Sequence, residues 1–359
     1  MQNHENNNKE KKSDVSFTTL AAENTRDAAG DVDETNLKFS QLPNGLGSEN
    51  DGMDSNDGQE AGDIKRLYER ALQYVNQVYD AAKAGNRFSL DEGLEITNQM
   101  VKRRPGQDFL FITALHMDVE TEYLYHHPVN VSIMAVKLGE ALGYVRDQLA
   151  ELGLAALLHD IGSVRVSDKI LNKPSSLSKT EKGSIKQRPN YSFEILQAFK
   201  DDHPYLAETA VQVYERIDGS GYPMGLQRDE IHEYAQIIGL ADVYEALIHT
   251  RPHRQRFLYF AAIKEIVQTY KNNFQRMYLK AFLNNFSVFP IFSYVKLNSG
   301  AIGRVVETYP DQPFRPKIKV IYDSQARKIL TDRMIALPDN PLLHITDSVG
   351  ESEINGLSG

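Results

Sequence analysis

The chain has 359 residues, 41% of them hydrophobic and 25% charged, which is an ordinary composition for a globular protein. It has no cysteine, so disulfides, zinc–thiolate sites and thiol nucleophiles are excluded, and any metal must be held by His, Asp or Glu. The net charge is −9, and no basic surface typical of nucleic-acid binding is visible. Neither a signal peptide nor an apolar run of about 18 residues occurs, so we expect a cytoplasmic protein without a membrane span.

Residues 1–60 carry most of the acidity, since 13 acidic against 5 basic residues leave −8 of the net charge in this segment. The segment is rich in Asn, Asp, Ser and Gly and poor in aliphatic residues. Such a composition cannot bury enough apolar surface to offset its ordering entropy. We therefore predict a disordered acidic tail over residues 1–60.

The next segment, residues 61–118, is predicted to be helical. Apolar residues recur at helical spacing from Asp63 onward, and Ser89 with Glu92 forms a capping box that opens another helix. A Pro105-Gly106 break follows. No motif in this segment indicates a function.

Residues 119–290 are predicted to form the main helical domain, with Gly and Pro marking junctions at Pro174, Pro189 and residues 219–225. After Pro290 the pattern alternates, with a turn at residues 298–300, and predicts a small antiparallel β element within residues 291–325. Residues 326–359 are predicted to be a polar C-terminal tail. The fold class is thus all-α with a small C-terminal β element.

Four polar residues in this helical domain could hold a metal. His159 and Asp160 follow an apolar helix, His127 begins another, and Asp242 lies in an apolar run where a bare carboxylate would cost several kcal/mol. Each residue alone can be explained as a hydrogen-bonded core residue, and for His159-Asp160 alone that explanation is the better one. Together they predict a site whose side-chain heads lie within about 5 Å of one another.

Several strings in the same region resemble a known family. They are His127-Pro-Val-Asn-Val131, Ala156-Leu-Leu-His-Asp-Ile-Gly162, Asp218-Gly-Ser-Gly-Tyr-Pro223 and Ala241-Asp-Val-Tyr-Glu-Ala-Leu247, with Arg251-Pro252. From about residue 120 to 325 the chain resembles the HD-GYP family, a branch of the HD-domain phosphohydrolases. The resemblance implies a helical bundle that hydrolyses cyclic di-GMP with two or three bound iron or manganese ions.

The resemblance also implies roles for individual residues. Asp160 would be the catalytic residue as well as a ligand. Tyr222 would stack on guanine in a loop that faces the nucleotide or a partner protein. Lys169 and Lys173 match positions near the phosphates, although two solvated lysines explain them equally well. The implied substrate-binding residues are Lys169, Lys173, Arg188, Gly221, Tyr222, Pro223 and Arg251.

The sequence departs from the family pattern at four positions. Ser163 stands where the family has Lys, Arg188 where it has His, and Val213-Tyr214 where it has His-His. A guanidinium has no lone pair to give a metal, and a tyrosine would have to ionise from a pKa near 10 to coordinate strongly. We therefore expect one divalent transition metal, iron or manganese, or none.

Three hypotheses follow from these departures. The favoured one is a weakly active or inactive HD-GYP domain that signals by binding cyclic di-GMP, or a partner protein through the Gly-Tyr-Pro loop. The second is an active cyclic di-GMP phosphodiesterase with an atypical site. The third is a one-metal phosphohydrolase that acts on another nucleotide. A homodimer is expected only by analogy with other helical signalling domains.

Overall fold

The computed structural model describes residues 55–102, 109–116, 123–251, 254–309 and 312–357, without the side chains of residues 55–61 and 352. The predicted tail up to residue 54, the Pro105-Gly106 break and Pro252 lie outside the described residues. The first helix of the described residues begins at Ser55, so it overlaps the last six residues of the range predicted to be a tail.

The prediction of a mostly helical fold is confirmed. The helices of the described residues are, in chain order, α1 (Ser55–Lys83), α2 (Asp91–Val101), α3 (Phe109–His116), α4 (Tyr123–Ala141), α5 (Arg146–Leu158), α6 (Asp168–Leu171), α7 (Lys179–Ile185), α8 (Arg188–Leu196), α9 (Pro204–Gln212), α10 (Glu233–Ile248), α11 (Tyr259–Thr269), α12 (Arg276–Asn285) and α13 (Glu351–Leu357). Short 3-10 helices span Ile161–Arg165, Gln197–Phe199, Arg228–Glu230 and Leu337–Asp339. Among these described helices, none combines the length and the apolar character needed to cross a bilayer.

Helix α10 lies at the centre of the helical body. Its sequence is apolar on all sides, and nearly every residue from Tyr234 to Ile248 is buried, as expected for a helix without a solvent face. Helices α4 and α5 are buried over most of their length too. Because these three helices pack together, the polar side chains that they carry in their interiors are forced into the same region.

A five-stranded antiparallel sheet follows the helices, in the order β4-β3-β2-β1-β5. The strands are β1 (Tyr294–Leu297), β2 (Ile302–Glu307), β3 (Lys317–Tyr322), β4 (Met334–Ala336) and β5 (Ile345–Val349). Val295, Val305 and Ile318 belong to the same buried cluster as the helical core. The opposite side buries Ile302, Tyr322 and Val349 against Ile354 of α13, so the sheet is covered on both faces.

The sheet extends further along the chain than the sequence analysis predicts. Strands β4 and β5 and helix α13 all lie within the range predicted to be a polar tail. Strand β4 has only three residues and β5 is buried only at Val349, so neither shows a clear alternation of buried and exposed positions. They are held by pairing with β3 and β1 instead.

Candidate metal centre

Three buried side chains from three parts of the helical body meet at one point. His127 lies on α4, His159 directly follows α5, and Asp242 lies on α10. One potential ligand atom from each residue lies within 4.8 Å of the others. Two imidazole nitrogens and a carboxylate oxygen form a donor set that suits a divalent transition metal.

His159 is oriented as a metal-binding histidine. Its Nδ1 lies 2.7 Å from the carbonyl oxygen of Ala156. A carbonyl only accepts, so Nδ1 carries the proton and Nε2 keeps its lone pair. Nε2 is fully buried without a hydrogen-bond partner among the described residues, 3.8 Å from Oδ1 of Asp242. A cation between these two atoms would satisfy both.

His127 lies between two carboxylates. Its Nε2 is 3.0 Å from Oδ1 of Asp242, and its Nδ1 is 2.5 Å from Oε2 of Glu245. Burial alone would lower the pKa of His127, but the charge of Glu245 and the bonds to both carboxylates outweigh it and raise that pKa to about 9. Burial likewise opposes ionisation of Asp242, yet its hydrogen bond to His127 and the charge of that imidazole hold its pKa well below the ordinary value.

Glu245 is a residue of the site that the sequence analysis misses. It lies three residues after Asp242 on the same face of α10 and is almost completely buried. The Nδ2 group of Asn130 donates to it over 3.4 Å, and Nη2 of Arg251 lies 3.5 Å away. A second acidic residue at this spacing within an apolar helix was the signal that could have identified it. Its bond to His127 is the kind that fixes the orientation of a metal ligand.

Asp160, predicted as the fourth ligand, lies outside the three-residue cluster. Its Oδ2 is 2.7 Å from Nη1 of Arg188, and its Oδ1 accepts a hydrogen bond from the Tyr214 hydroxyl over 3.3 Å. Both of its oxygens are therefore engaged by protein groups. The charge of Asp160 opposes the cost of burial and holds the pKa of Arg188 well above its usual value.

The positions that depart from the family pattern offer no replacement ligands. Burial raises the pKa of Tyr214 well above its ordinary value, so its hydroxyl remains a neutral donor to Asp160. Val213 is buried and apolar. Ser163 is also buried, and its hydroxyl has no partner among the described residues. The region where further metals would need ligands therefore presents a guanidinium, a phenol and an aliphatic chain.

The Gly-Tyr-Pro loop is attached to the site through Glu215. The carboxylate of Glu215 accepts hydrogen bonds from the backbone N–H groups of Met224, Gly225 and Leu226. Gly221 packs so tightly that a Cβ atom there would lie 2.4 Å from the Cα of Glu215. Only glycine fits this approach, and the loop is thereby fixed against the end of α9.

Tyr222 stacks on a protein ring. Its ring lies parallel to that of Tyr214, with the centroids 5.3 Å apart and an angle of 3° between planes. The Arg188 guanidinium lies 5.2 Å from the Tyr214 centroid, and Nζ of Lys186 lies 5.3 Å from that of Tyr222. Arg188, Tyr214 and Tyr222 therefore link the Asp160 carboxylate to the loop.

The remaining residues that were expected to bind substrate differ in their surroundings. Lys173 forms a bidentate ion pair with Glu181, at 2.9 and 2.8 Å, and Lys169 is exposed on α6. Pro223 is partly buried in the loop. Arg251 is the most closely attached to the centre, since it lies 4.0 Å above the ring of Tyr123, which stacks on His127.

Comparison with known proteins divides the chain in the same way as the structure. Residues 111–276 match the profile of the HD domain family, and residues 294–357 match that of a KOW domain associated with the HD domain. The second match includes β4, β5 and α13, which lie in the range predicted from the sequence to be a tail.

Two bacterial relatives connect these matches to a family. The chain is 27% identical over 274 residues to cyclic di-GMP phosphodiesterase PA4108 of Pseudomonas aeruginosa, covering 76% of this chain and 65% of the relative. It is 32% identical over 199 residues to cyclic di-GMP phosphodiesterase PdeB of Borreliella burgdorferi, covering 55% and 52%. These matches support a member of the HD-GYP family.

The fold of the HD-GYP domain agrees with a solved structure. Bd1817, a HDG"Y"P protein from Bdellovibrio bacteriovorus, matches with a TM-score of 0.53 and 18% identity, over 64% of this chain and 73% of that one. At this identity the likeness concerns the fold. The chain spans about two thirds and about half of the lengths of the two curated relatives.

The residues of this HD-GYP domain fit one metal ion. The unpartnered Nε2 of His159 and the carboxylate–histidine pair of Glu245 and His127 are arrangements that a cation completes. Asp160 is held by Arg188 and Tyr214. We find no second group of three candidate ligands among the described residues.

Proposed function

We propose that this HD-GYP domain binds cyclic di-GMP beside a single metal ion and hydrolyses it slowly or not at all, so that it signals by binding. The observation that carries the proposal is the 2.7 Å ion pair between Arg188 and Asp160. It places a fixed positive charge beside the candidate metal centre and occupies one oxygen of the carboxylate expected to act in catalysis.

The proposed metal is one iron or manganese ion held by His127, His159 and Asp242. When bound, it would supply a Lewis acid that polarises a phosphoryl oxygen and lowers the pKa of water. Glu245 orients His127, and the Ala156 carbonyl orients His159. Asp160, predicted as a ligand and catalytic residue, is assigned here to hold Arg188.

The proposed nucleotide contacts are cationic and aromatic. Arg188 and Arg251 lie next to the centre and can each donate two hydrogen bonds to a phosphate. Tyr222 offers an aromatic face at the rim for a guanine base, continuing the stack that Tyr214 begins. Lys173 is a weaker candidate, because Glu181 already neutralises it.

Slow hydrolysis is expected because this chain replaces groups of the family pattern. A phosphodiester hydrolase gains rate from cations fixed where charge develops on the phosphate, and losing one such group costs on the order of 100-fold. Arg188 can bind a phosphate, but its guanidinium cannot coordinate water. Ser163 removes a further cation relative to the family pattern.

The test combines metal analysis, calorimetric titration with cyclic di-GMP and a hydrolysis assay with added iron(II) or manganese(II). We expect no more than one tightly bound metal per chain, measurable nucleotide binding and very slow hydrolysis. Rapid hydrolysis, or two or three metals per chain, would show that other groups complete a full active site.

A variant designed to gain hydrolytic activity provides a second test of the proposal. Ser163→Lys, Arg188→His, Val213→His and Tyr214→His together restore the family pattern, and the hydrolysis rate should rise if the fold accepts the change. Absence of nucleotide binding by the unmodified protein would instead favour protein docking at the Gly-Tyr-Pro loop, where Met224 is 52% exposed.

A further inference from the structure

Helix α1 contributes a buried polar residue to the surroundings of the metal centre. It lies outside residues 111–276, which match the HD domain profile. Tyr68 on this helix is completely buried, yet its hydroxyl contacts α4 rather than an apolar surface. A buried hydroxyl is costly to place unless it is bonded, so its partners indicate what it does.

The partners of Tyr68 lead directly to the metal centre. Its hydroxyl donates to Oδ1 of Asn130 over 2.8 Å, and Nδ2 of the same amide donates to Oε1 of Glu245 over 3.4 Å. Oε2 of Glu245 lies 2.5 Å from Nδ1 of His127. A series of side-chain hydrogen bonds therefore connects α1 to His127, a candidate metal ligand.

The Asn130 amide gives this series of hydrogen bonds a defined direction. A carboxylate can only accept, so the amide must turn its NH₂ group toward Glu245 and its oxygen away from it. The Tyr68 hydroxyl donates to that oxygen and stabilises this orientation. Without the hydroxyl, only the long 3.4 Å contact with Glu245 orients the amide, so the amide is held less firmly and its support of the carboxylate weakens.

We propose that Tyr68 is a positioning residue of the metal centre, which acts through Asn130 to hold the Glu245 carboxylate against His127. The inference rests on the proposed metal site at His127, His159 and Asp242. It assigns to α1 a part in metal binding as well as in packing, although α1 supplies no ligand.

The test measures manganese(II) affinity by titration of the metal-free full chain. Tyr68→Phe removes the hydroxyl and should weaken binding about fivefold, as expected for one lost hydrogen bond. Tyr74→Phe is the matched control, because Tyr74 is a buried residue of the same helix whose hydroxyl donates to the Ser89 carbonyl over 3.3 Å. The control should leave manganese affinity unchanged.

A double variant separates positioning from a general loss of packing. Glu245→Gln alone should weaken manganese binding by about 10- to 100-fold. If Tyr68 acts through Glu245, adding Tyr68→Phe to that variant should cause little further loss. Full additivity of the two effects, or equal effects of Tyr68→Phe and Tyr74→Phe, would refute the positioning role.

Two further outcomes remain distinguishable. If Tyr68→Phe fails to fold, Asn130→Ala provides the same test, because it breaks the series of hydrogen bonds between Tyr68 and Glu245 and leaves Tyr68 in place. Unchanged affinity in Asn130→Ala would refute the inference. Failure of the unmodified protein to bind manganese would instead refute the metal site itself, and with it the positioning role.

Discussion

At the scale of single residues, the two histidines of the centre are oriented in different ways. His159 donates to a backbone carbonyl, so its orientation follows from the end of α5. His127 depends on the side chain of Glu245, whose charge raises the basicity of the imidazole. Substitution near His127 can therefore change metal affinity without altering a ligand. The orientation of His159 is less sensitive to side-chain substitution.

The first prediction concerns the unpartnered nitrogen of His159. His159→Ala should abolish tight metal binding, since it removes one of three protein ligands. Metal content after purification gives the measurement, with His203→Ala as the control, because His203 lies outside the three-residue cluster. Retention of a full equivalent of metal by His159→Ala would contradict the site.

The second prediction concerns Arg188. Arg188→Ala should weaken cyclic di-GMP binding at least about tenfold, because a charge-assisted hydrogen bond contributes about 1.5–3 kcal/mol. Arg165→Ala is a matched control, since Arg165 also pairs with a carboxylate, Glu194, and lies over a tyrosine ring, that of Tyr191. Calorimetric titration measures both, and equal affinities would exclude Arg188 from the binding site.

Residue identity was enough to predict three members of the centre. A carboxylate in an apolar helix must have a partner, and in the structure Asp242 lies in a buried polar cluster with His127 and His159. Their role as metal ligands stays a prediction. This reasoning does not distinguish Asp160 from the other candidates. The separation of Asp160 depends on where α8 directs Arg188, which no local pattern in the sequence specifies.

At the scale of elements, the attachment of the Gly-Tyr-Pro loop depends on one side chain. Two of the three backbone donors share Oε1 of Glu215 and the third bonds to Oε2. Charge-assisted bonds of this kind are among the stronger ones. The loop therefore moves with the segment that directly follows α9, which also contains Val213 and Tyr214.

The third prediction tests this attachment. Glu215→Gln would turn an amide NH₂ toward backbone donors, leaving at least one of them unpaired at a cost of about 1–3 kcal/mol. Hydrogen exchange at the amides of Met224, Gly225 and Leu226 should accelerate. Glu230→Gln, in an exposed capping box nearby, serves as the control. Unchanged protection of the three amides in Glu215→Gln would show that the loop is held by other contacts.

Element types were predictable where the pattern was long. The apolar run around Asp242 is indeed a buried helix, and the alternation after Pro290 does form strands. Strands β4 and β5 could not be recognised, because short edge strands take their stability from the neighbour with which they pair. The relation of α1 to the metal centre also lies in tertiary packing, outside the reach of periodicity.

At the scale of the whole molecule, the helical body and the sheet meet around His116. This residue ends α3, and its Nε2 lies 3.0 Å from the carbonyl of Ile291, just before β1. Burial lowers the pKa of His116 to about 4, and the charges of Arg256 and Arg304 act in the same direction. The junction therefore favours a neutral imidazole.

The fourth prediction follows from this pKa. The unfolded chain binds the proton at about pH 6.5, so the contribution of His116 is fully present above that pH and is lost as the pH falls toward 4. By pH 5 the loss relative to neutral pH should reach about 2 kcal/mol. Denaturant unfolding measures it. His116→Gln should flatten this part of the profile, whereas His344→Gln, at an exposed position next to β5, should not.

The strand order has a practical consequence for anyone who shortens this chain. Strand β5 pairs with β1, the strand by which the sheet begins, and covers its free edge. A fragment that stops at residue 325, where the sequence pattern suggested that the β element ends, would leave the backbone amides and carbonyls of β1 open to another molecule. Unprotected edges of this kind recruit further strands. Such a fragment should self-associate in solution, and the boundary for a well-behaved fragment lies after Leu357, beyond α13.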